Sequence, residues 1–368
     1  MILERIILSN FRNYPSADIT FHPEVTCLTG LNGMGKTNLL DALYYLSMTK
    51  SYLSAQDNQV VRFQADFFRL EGHYFRGGQR EKIVAKVLPH RSKEFSSASG
   101  PVSRLSDHVG YLPIVFITPD DVEILTGGSE LRRKFLDNTL SQTDNSYLRH
   151  LIQYNRLLTQ RNALLRNVAK DSHTDLSLLE VYDEQMLPSA SYIHGARRDF
   201  SVAFNPIFAE KHHAITCGRE VAAIDYDSNL SNANYRELLE KSRQRDFYME
   251  RTSEGIHKDD LILRLDGQLV RKFASQGQKK SFLIALKLGQ AAYLKAQSGL
   301  HPMLLLDDIF DKLDPDRVES LIACLVADMG GQIFLTDTHP QRVPDILRRL
   351  DVHHLHGEIR EGSFYPLS

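Results

Sequence analysis

Gly30-Leu31-Asn32-Gly33-Met34-Gly35-Lys36-Thr37 is the stretch that decides the fold. It fits the pattern G-x-x-x-x-G-K-[ST] at every fixed position. The apolar run Val25-Thr26-Cys27-Leu28 leads into it, and a helical pattern from Asn38 to Ser47 leads out. In a strand–loop–helix context the pattern cradles a polyphosphate, because glycines let successive backbone N–H groups curl around the anion. A chance Gly-rich turn would not carry the flanking strand and helix. Gly30 to Asn38 is therefore the candidate nucleotide-binding segment, with ATP and Mg²⁺ as the expected cofactors. Lys36 can neutralise the β- and γ-phosphates and the Thr37 hydroxyl can ligate Mg²⁺, while the helix N-terminus adds favourable partial charge.

The 368 residues suggest about two domains. A composition of 42% hydrophobic and 24% charged residues is that of a soluble globular protein. The formal net charge of −2 excludes a global positive field. Any nucleic-acid site must rest on local basic patches and be salt-sensitive. Cys27, Cys217 and Cys324 stand far apart without metal-ligand spacing. With a nucleotide site they suggest free thiols in a reducing cytoplasm. No signal peptide and no apolar run of membrane-spanning length is read, so no membrane is expected as partner.

Along the chain, residues 1–9, Asp18 to Phe21 and Val25 to Leu28 read as strands, with Asn10 to Tyr14 as a turn. Phe67 to Tyr74 and Lys82 to Leu88 read as a strand pair joined at Gly77-Gly78, Arg91 to Ser103 as a polar loop, and Leu112 to Ile117 as a strand. From about 129 to 250 the pattern is helical, with Leu148, Leu151, Ile152, Tyr154, Leu157 and Leu158 at helical spacing. Strand character returns at Leu261 to Leu265 and Leu269 to Phe273, flanking the turn signal Asp266-Gly267. A helix from Gln278 to Ala296 and apolar strands at Met303 to Leu306 and Gln332 to Leu335 follow. The expected architecture is an α/β nucleotide head split into 1–118 and 251–368, with a mainly helical lobe inserted at 119–250.

Two further motifs complete a site. Met303-Leu304-Leu305-Leu306 ends in Asp307-Asp308. A strand beside the loop places Asp307 to hold Mg²⁺ and Asp308 to act as general base or to position water. Two carboxylates at one strand end repel unless a cation lies between them. Ser275-Gln276-Gly277-Gln278 stands just before a helix. A serine hydroxyl, a glycine N–H and a helix N-terminus form a second phosphate-binding surface. One γ-phosphate does not need two such surfaces from one chain, so this one is placed on a second copy, in an ATP-dependent homodimer. The competing reading is a plain N-cap by Ser275.

At these residues the sequence resembles the ABC-type ATPases of the SMC group and, within it, the RecF family of bacterial recombination mediators. Asn10-Phe11-Arg12-Asn13-Tyr14 is similar to that family's opening, and Gly33 to Ala42 to its phosphate loop and helix. Phe116 to Asp121 followed by Arg132 to Asp137, then Gln160-Arg161-Asn162, His257-Lys258-Asp259-Asp260, Ser275 to Gln278 and Asp307 through Asp314 resemble its hallmarks. The resemblance implies an ABC/SMC-type phosphate-loop head with an arm-like insertion. It places Arg12 and Asn13 near the adenosine, Asp314 across a dimer interface, and His339 as the switch histidine. Thr118 to Asp121 would occupy the γ-phosphate-sensing position that is usually marked by a glutamine, and no glutamine stands there.

The resemblance also implies recombinational repair. An ATP-driven homodimer would clamp DNA at single-strand gaps and help load recombinase with RecO and RecR partners, and hydrolysis would release it. It further points to basic clusters of the helical lobe as DNA contacts: Arg132-Arg133-Lys134, Arg161 and Arg197-Arg198. Aspartate at position 308, where transporter ATPases usually carry glutamate, shifts the carboxylate by roughly 1 Å and suits a slow, switch-like ATPase. The alternative is an ABC-type subunit driving a membrane partner, against which the size of the helical lobe counts. A small-molecule kinase would need an acceptor pocket and no signature serine.

Overall fold

The computed structural model describes residues 1–170, 177–310 and 315–367. The chain divides into two compact units, Met1–Asp121 with Lys287–Ser368, and Val122–Leu286.

In the first unit, Val25–Thr29, Ile114–Ile117, Met303–Leu306 and Ile333–Asp337 are buried at every position. Such unbroken apolar runs belong to parallel strands covered on both faces. Their sheet has the order Ser363–Pro366, His354–Arg360, Val25–Thr29, Ile333–Asp337, Met303–Leu306, Ile114–Ile117. All neighbours pair in parallel except the edge hairpin Ser363–Pro366 with His354–Arg360. The register sets Leu335 opposite both Leu306 and Cys27, and Asp337 opposite Thr29. The C-terminal strand ends therefore come level, and the functional motifs follow them.

A second, antiparallel sheet has the order Tyr14–Thr20, Ile2–Phe11, Phe68–Arg76, Gln79–Leu88, Ser92–Ser97, Gly100–Pro101. Here burial alternates, with Leu3, Ile6 and Leu8 inward on the first strand. Gly77 and Gly78, at φ 57° and 82°, make the two-residue link that matches strand twist. The segment expected to be a polar loop, Arg91 to Ser103, instead supplies the last two strands. Phe95 is the one deeply buried residue of Ser92–Ser97, so the alternation that marks a strand is only one residue deep there. The helix after the phosphate loop, Lys36–Met48, is buried at all positions but Thr37 and Asn38. Its Tyr45 packs on Phe11, Phe68 and Phe95. A helix buried on every side needs such cover on every side, and its one buried carboxylate, Asp41, is matched to Arg12.

The second unit is built on the helices Ser129–Thr143, Asn145–Lys170, Ser177–Thr216 and Tyr235–Met249. Tyr154, Leu157, Leu164 and Leu165 are buried as the helical stripe requires, whereas Ile152 faces solvent. A small antiparallel sheet joins Gln268–Leu269, Asp260–Leu265 and Ala222–Asp227. Of the expected strand Leu269 to Phe273 only Leu269 is in a strand, Gln268–Leu269, and Val270–Phe273 forms a helical turn. Residues 251–286, read from sequence with the C-terminal part of the head, group with the helical unit: Asp260–Leu265 pairs along its whole length with Ala222–Asp227. Among the described residues no helix is long and apolar enough to cross a membrane.

Candidate nucleotide site

The phosphate loop is threaded where only glycine fits. Gly30 has φ 144°, and a Cβ there would lie 2.5 Å from the Ile359 carbonyl oxygen. Gly35 has φ 116°, and a Cβ would lie 2.7 Å from the Asn13 amide. Asn13 braces the loop: its amide donates to the Met34 carbonyl at 3.0 Å and its oxygen accepts from Asn38 at 2.8 Å. The Tyr14 hydroxyl donates to the Gly35 carbonyl at 2.9 Å. Lys36 is 5% exposed, and its ammonium donates to the carbonyls of Gly30 at 2.7 Å and Leu31 at 3.1 Å. Burial pulls its pKa down, while Asp308, Asp307 and Asp337 hold it up. The ammonium is thus seated at the loop, with carbonyls that a phosphate can outcompete.

Arg12 is placed differently from Asn13. Its guanidinium donates to Asp41 at 2.8 Å and to the Ser51 and Ser54 hydroxyls, both at 2.9 Å. Asp41 is fully buried and also accepts from the Tyr52 backbone N–H at 2.7 Å. Arg12 therefore anchors the segment that follows the phosphate-loop helix.

The acid-ended strand is not beside the loop strand as its sequence suggested. Ile333–Asp337 lies between them, and it contributes Thr336, a residue the sequence reading missed. The Thr336 hydroxyl donates to Asp307 at 2.7 Å and accepts from the Asp308 backbone N–H at 2.9 Å. The Thr37 hydroxyl donates to the other Asp307 oxygen at 2.8 Å. Burial raises the Asp307 pKa first of all, hydrogen bonds from Thr336 and Thr37 oppose it, and Asp308 adds to the rise. Thr37 and Asp307 are hard oxygen donors in contact, a set that fits Mg²⁺. Asp308 sits at φ 48°, a left-handed conformation that turns the chain off the strand end.

His339 follows the neighbouring strand. It is exposed, its backbone N–H donates to Asp337 at 2.9 Å, and its Nδ1 accepts from the Arg342 backbone N–H at 3.1 Å. That leaves Nε2 as the ring edge able to carry a proton. Asp337 is closed by both guanidinium arms of Arg342, at 2.8 and 2.7 Å. In the segment Thr118 to Asp121, Asp121 is buried and accepts from the Thr118 N–H at 2.8 Å and from the Tyr52 hydroxyl. Lys287, also buried and also missed from sequence, lies 3.1 Å from Asp121 and donates to the Phe116 carbonyl at 2.7 Å. Asp314 lies outside the described residues.

The signature turn belongs to the second unit. The Ser275 N–H donates to the Gln278 side-chain oxygen at 2.8 Å, and the Gln278 N–H donates back to the Ser275 hydroxyl at 3.3 Å. This reciprocal pair caps the helix Gln276–Ser298. Ser275 and Gln276 are exposed. The Gln278 amide also donates to Glu220 at 3.0 Å. Glu220 was not singled out by sequence; its distance along the chain hides it.

The basic clusters divide. Arg161 is 0% exposed, with hydrogen bonds to Asp183 at 2.6 Å, Asp246 at 2.7 Å and the Thr252 hydroxyl at 2.9 Å. Arg197 is 1% exposed and donates to Asp137, Asp259 and the Ile256 carbonyl. Arg132 is 3% exposed and grips Asp260 with two donors at 2.6 and 3.0 Å. These three are removed from the candidate DNA contacts: each guanidinium is desolvated and matched to internal carboxylates, and exposing one would strand a buried charge. Lys134 and Arg198 are exposed, in surface pairs with Glu130 and Asp199. Arg133 is half-buried.

A parallel sheet that gathers a phosphate loop and an acid pair at one edge, interrupted by a helical unit, is the fold of the ABC/SMC-type phosphate-loop ATPase head. The RecF/RecN/SMC N-terminal domain family matches residues 2–351. A protein of Flavobacterium johnsoniae named "DNA replication and repair protein RecF" is 40% identical over 95% of this chain and 97% of its own. Its namesake in Parabacteroides distasonis is 40% identical over 100% of both chains. The chain belongs to the RecF family. A solved structure titled "recombination mediator protein RecF-ATPrS in RecFOR pathway" superposes with a TM-score of 0.89 at 28% identity, covering 100% of this chain and 98% of its own. An SMC head domain from Pyrococcus furiosus, at 14% identity, a TM-score of 0.56 and coverage of 100% of this chain and 96% of its own, shares the fold.

Proposed function

We propose that this chain is an ATP-dependent DNA-binding protein of recombinational repair. Two copies close on ATP, clamp DNA at single-strand gaps and help load recombinase together with RecO and RecR partners. Slow hydrolysis then opens the clamp. The observation that carries the reading is the 2.8 Å contact of Thr37 with Asp307, which joins the phosphate loop to the acid-ended strand. The relatives' name and the ATP-analogue structure of the "RecFOR pathway" neighbour support it from outside the chain.

In this reading the backbone N–H groups of Gly30 to Asn38 hold the polyphosphate, and Lys36 leaves the carbonyls of Gly30 and Leu31 for the β- and γ-phosphates. Mg²⁺, held by Thr37 and Asp307, would supply charge neutralisation at the phosphate oxygens. Asp308 takes the proton of the attacking water, and His339 offers Nε2 to the γ-phosphate edge. Ser275, Gln276, Gly277 and Gln278 of the second copy complete the pocket through the exposed hydroxyl and the helix N-terminus. ADP lacks the phosphate that both copies share, so the product state favours separation.

Asp308→Asn tests this. Loss of a general base slows ATP hydrolysis by about 100-fold, and the protein should then stay on gapped duplex for correspondingly longer in ATP. Turnover at the wild-type rate, or DNA held equally well in ADP, contradicts the proposal.

A further inference from the structure

With Arg132, Arg161 and Arg197 turned inward, the helical unit carries among its described residues a crowded set of exposed and half-buried cations around residues 251–258. His257 ties that loop together. Its Nε2 donates to the Thr252 carbonyl at 3.1 Å and its Nδ1 accepts from the Tyr154 hydroxyl at 2.8 Å. Gly255, at φ 127°, lies so close beneath that a Cβ would meet the Tyr154 and Tyr235 hydroxyls at 2.5 and 2.7 Å. The loop is therefore a fixed piece of the unit. The ring bridge brings Arg251, next to Thr252, towards Lys258, next to His257, and both are exposed.

Two helices add to the set. Arg133 donates to the Asp259 carbonyl at 2.7 Å and to the Ser129 hydroxyl at 2.8 Å, both neutral acceptors. Arg245 comes no nearer than 3.8 Å to Glu254, which itself accepts from the Asn229 amide at 2.5 Å, and Arg133 lies within the fields of Asp260, Asp137 and Asp259. Partial burial lowers the Lys258 pKa, and Arg251, Arg133 and Arg245 lower it further against Glu254. Among the described residues none of the four cations donates a hydrogen bond to a carboxylate, in contrast to Arg161 and Arg197. Held like charges repel until an anion arrives, and a row of phosphates is the anion that meets several at once. Tyr248, 91% exposed, stands one turn beyond Arg245 and offers an aromatic face beside the cations.

We propose that Arg133, Arg245, Arg251 and Lys258 form the surface of the helical unit that grips the DNA backbone. This rests on the DNA-binding reading above and places it on residues outside the basic pairs legible in sequence, apart from Arg133. The contacts go to phosphates, so they are indifferent to base sequence.

The test uses the full chain with ATP and a fluorescent gapped duplex, titrated at several salt concentrations. The triple variant Arg245→Gln, Arg251→Gln, Lys258→Gln should bind at least about tenfold more weakly, with the log–log salt slope reduced by roughly 2 to 3. Single Arg251→Gln and Lys258→Gln variants should each lower the slope by about 1. The control Arg80→Gln, Lys82→Gln, Lys86→Gln removes the same charge from strand Gln79–Leu88 and should bind as wild type. Circular dichroism and the thermal melting of each variant, beside its ATP affinity, establish that both units are folded. A triple variant that matches wild type in affinity and slope, or a control that weakens equally, overturns the surface alone. Wild-type protein that binds no DNA in ATP overturns the DNA-binding reading and the surface with it.

Discussion

The phosphate loop and the signature turn are both helix N-termini, yet they are built in opposite ways. At the base of the loop the hydrogen bonds are closed: Lys36 lies on the loop's own carbonyls, Asn13 and Tyr14 brace the glycines, and Thr37, Asp307 and Thr336 form one hydrogen-bonded chain. At the turn the serine faces solvent, and its support comes from one glutamine and from Glu220 behind it. A closed network holds a ligand by itself. An open one fixes a donor's direction for something that arrives from outside. That difference is what the proposed pocket, shared between two copies, requires of its halves.

The largest effect expected from this contrast falls on the closed half. Lys36→Met should weaken ATP binding by roughly 100-fold or more, since a buried charge-assisted contact to phosphate is lost without replacement; calorimetry on the monomer reads it. A variant that still binds ATP normally would break the contrast. The open half should respond in assembly. Glu220→Ala frees the Gln278 amide and should weaken ATP-dependent dimerisation by about tenfold, roughly the value of one hydrogen bond to a charged group. Glu220→Gln keeps an acceptor and should restore most of it. ATP affinity of the monomer should stay within about twofold in both. Loss of monomer ATP binding would show that the two halves are not separable in this way.

The smallest effect is in acid. Burial lowers the His257 pKa to about 4, so the folded protein keeps this ring neutral where the unfolded chain, at about 6.5, takes up a proton. Between those values the unfolded state binds more protons, and stability falls as pH falls. The full contribution is present above about 6.5 and declines by at most about 1.4 kcal/mol per pH unit down to about 4. His257→Gln should flatten the stability–pH curve in that window. An unchanged slope in urea titrations would mean the ring is not held neutral.

What could be read from the sequence was what is local. The phosphate loop carries its strand, glycines, lysine and helix within a few residues, and Ser275 with Gln278 is a cap at fixed spacing. Met303 to Leu306 ends in its acids without ambiguity. What escaped depends on partners far along the chain. Thr336 acts only because its strand enters the sheet between two others. Glu220 is 58 residues from Gln278. Arg161 reads as one more helix cation, since its acids Asp183 and Asp246 lie 22 and 85 residues away. A basic pair on a helix has the same letters whether it faces water or two buried carboxylates. The strands Ser92–Ser97 and Ala222–Asp227 were missed for a related reason: few of their residues are buried, so alternation is weak.

Sedimentation velocity of the wild type and Ser275→Arg, each in ATP and in ADP, tests the shared pocket most directly. The wild type should form a dimer in ATP and run as a monomer in ADP, whereas Ser275→Arg should remain a monomer in both while binding ATP as tightly as before. A wild-type monomer in saturating ATP, or a Ser275→Arg dimer, would contradict the account.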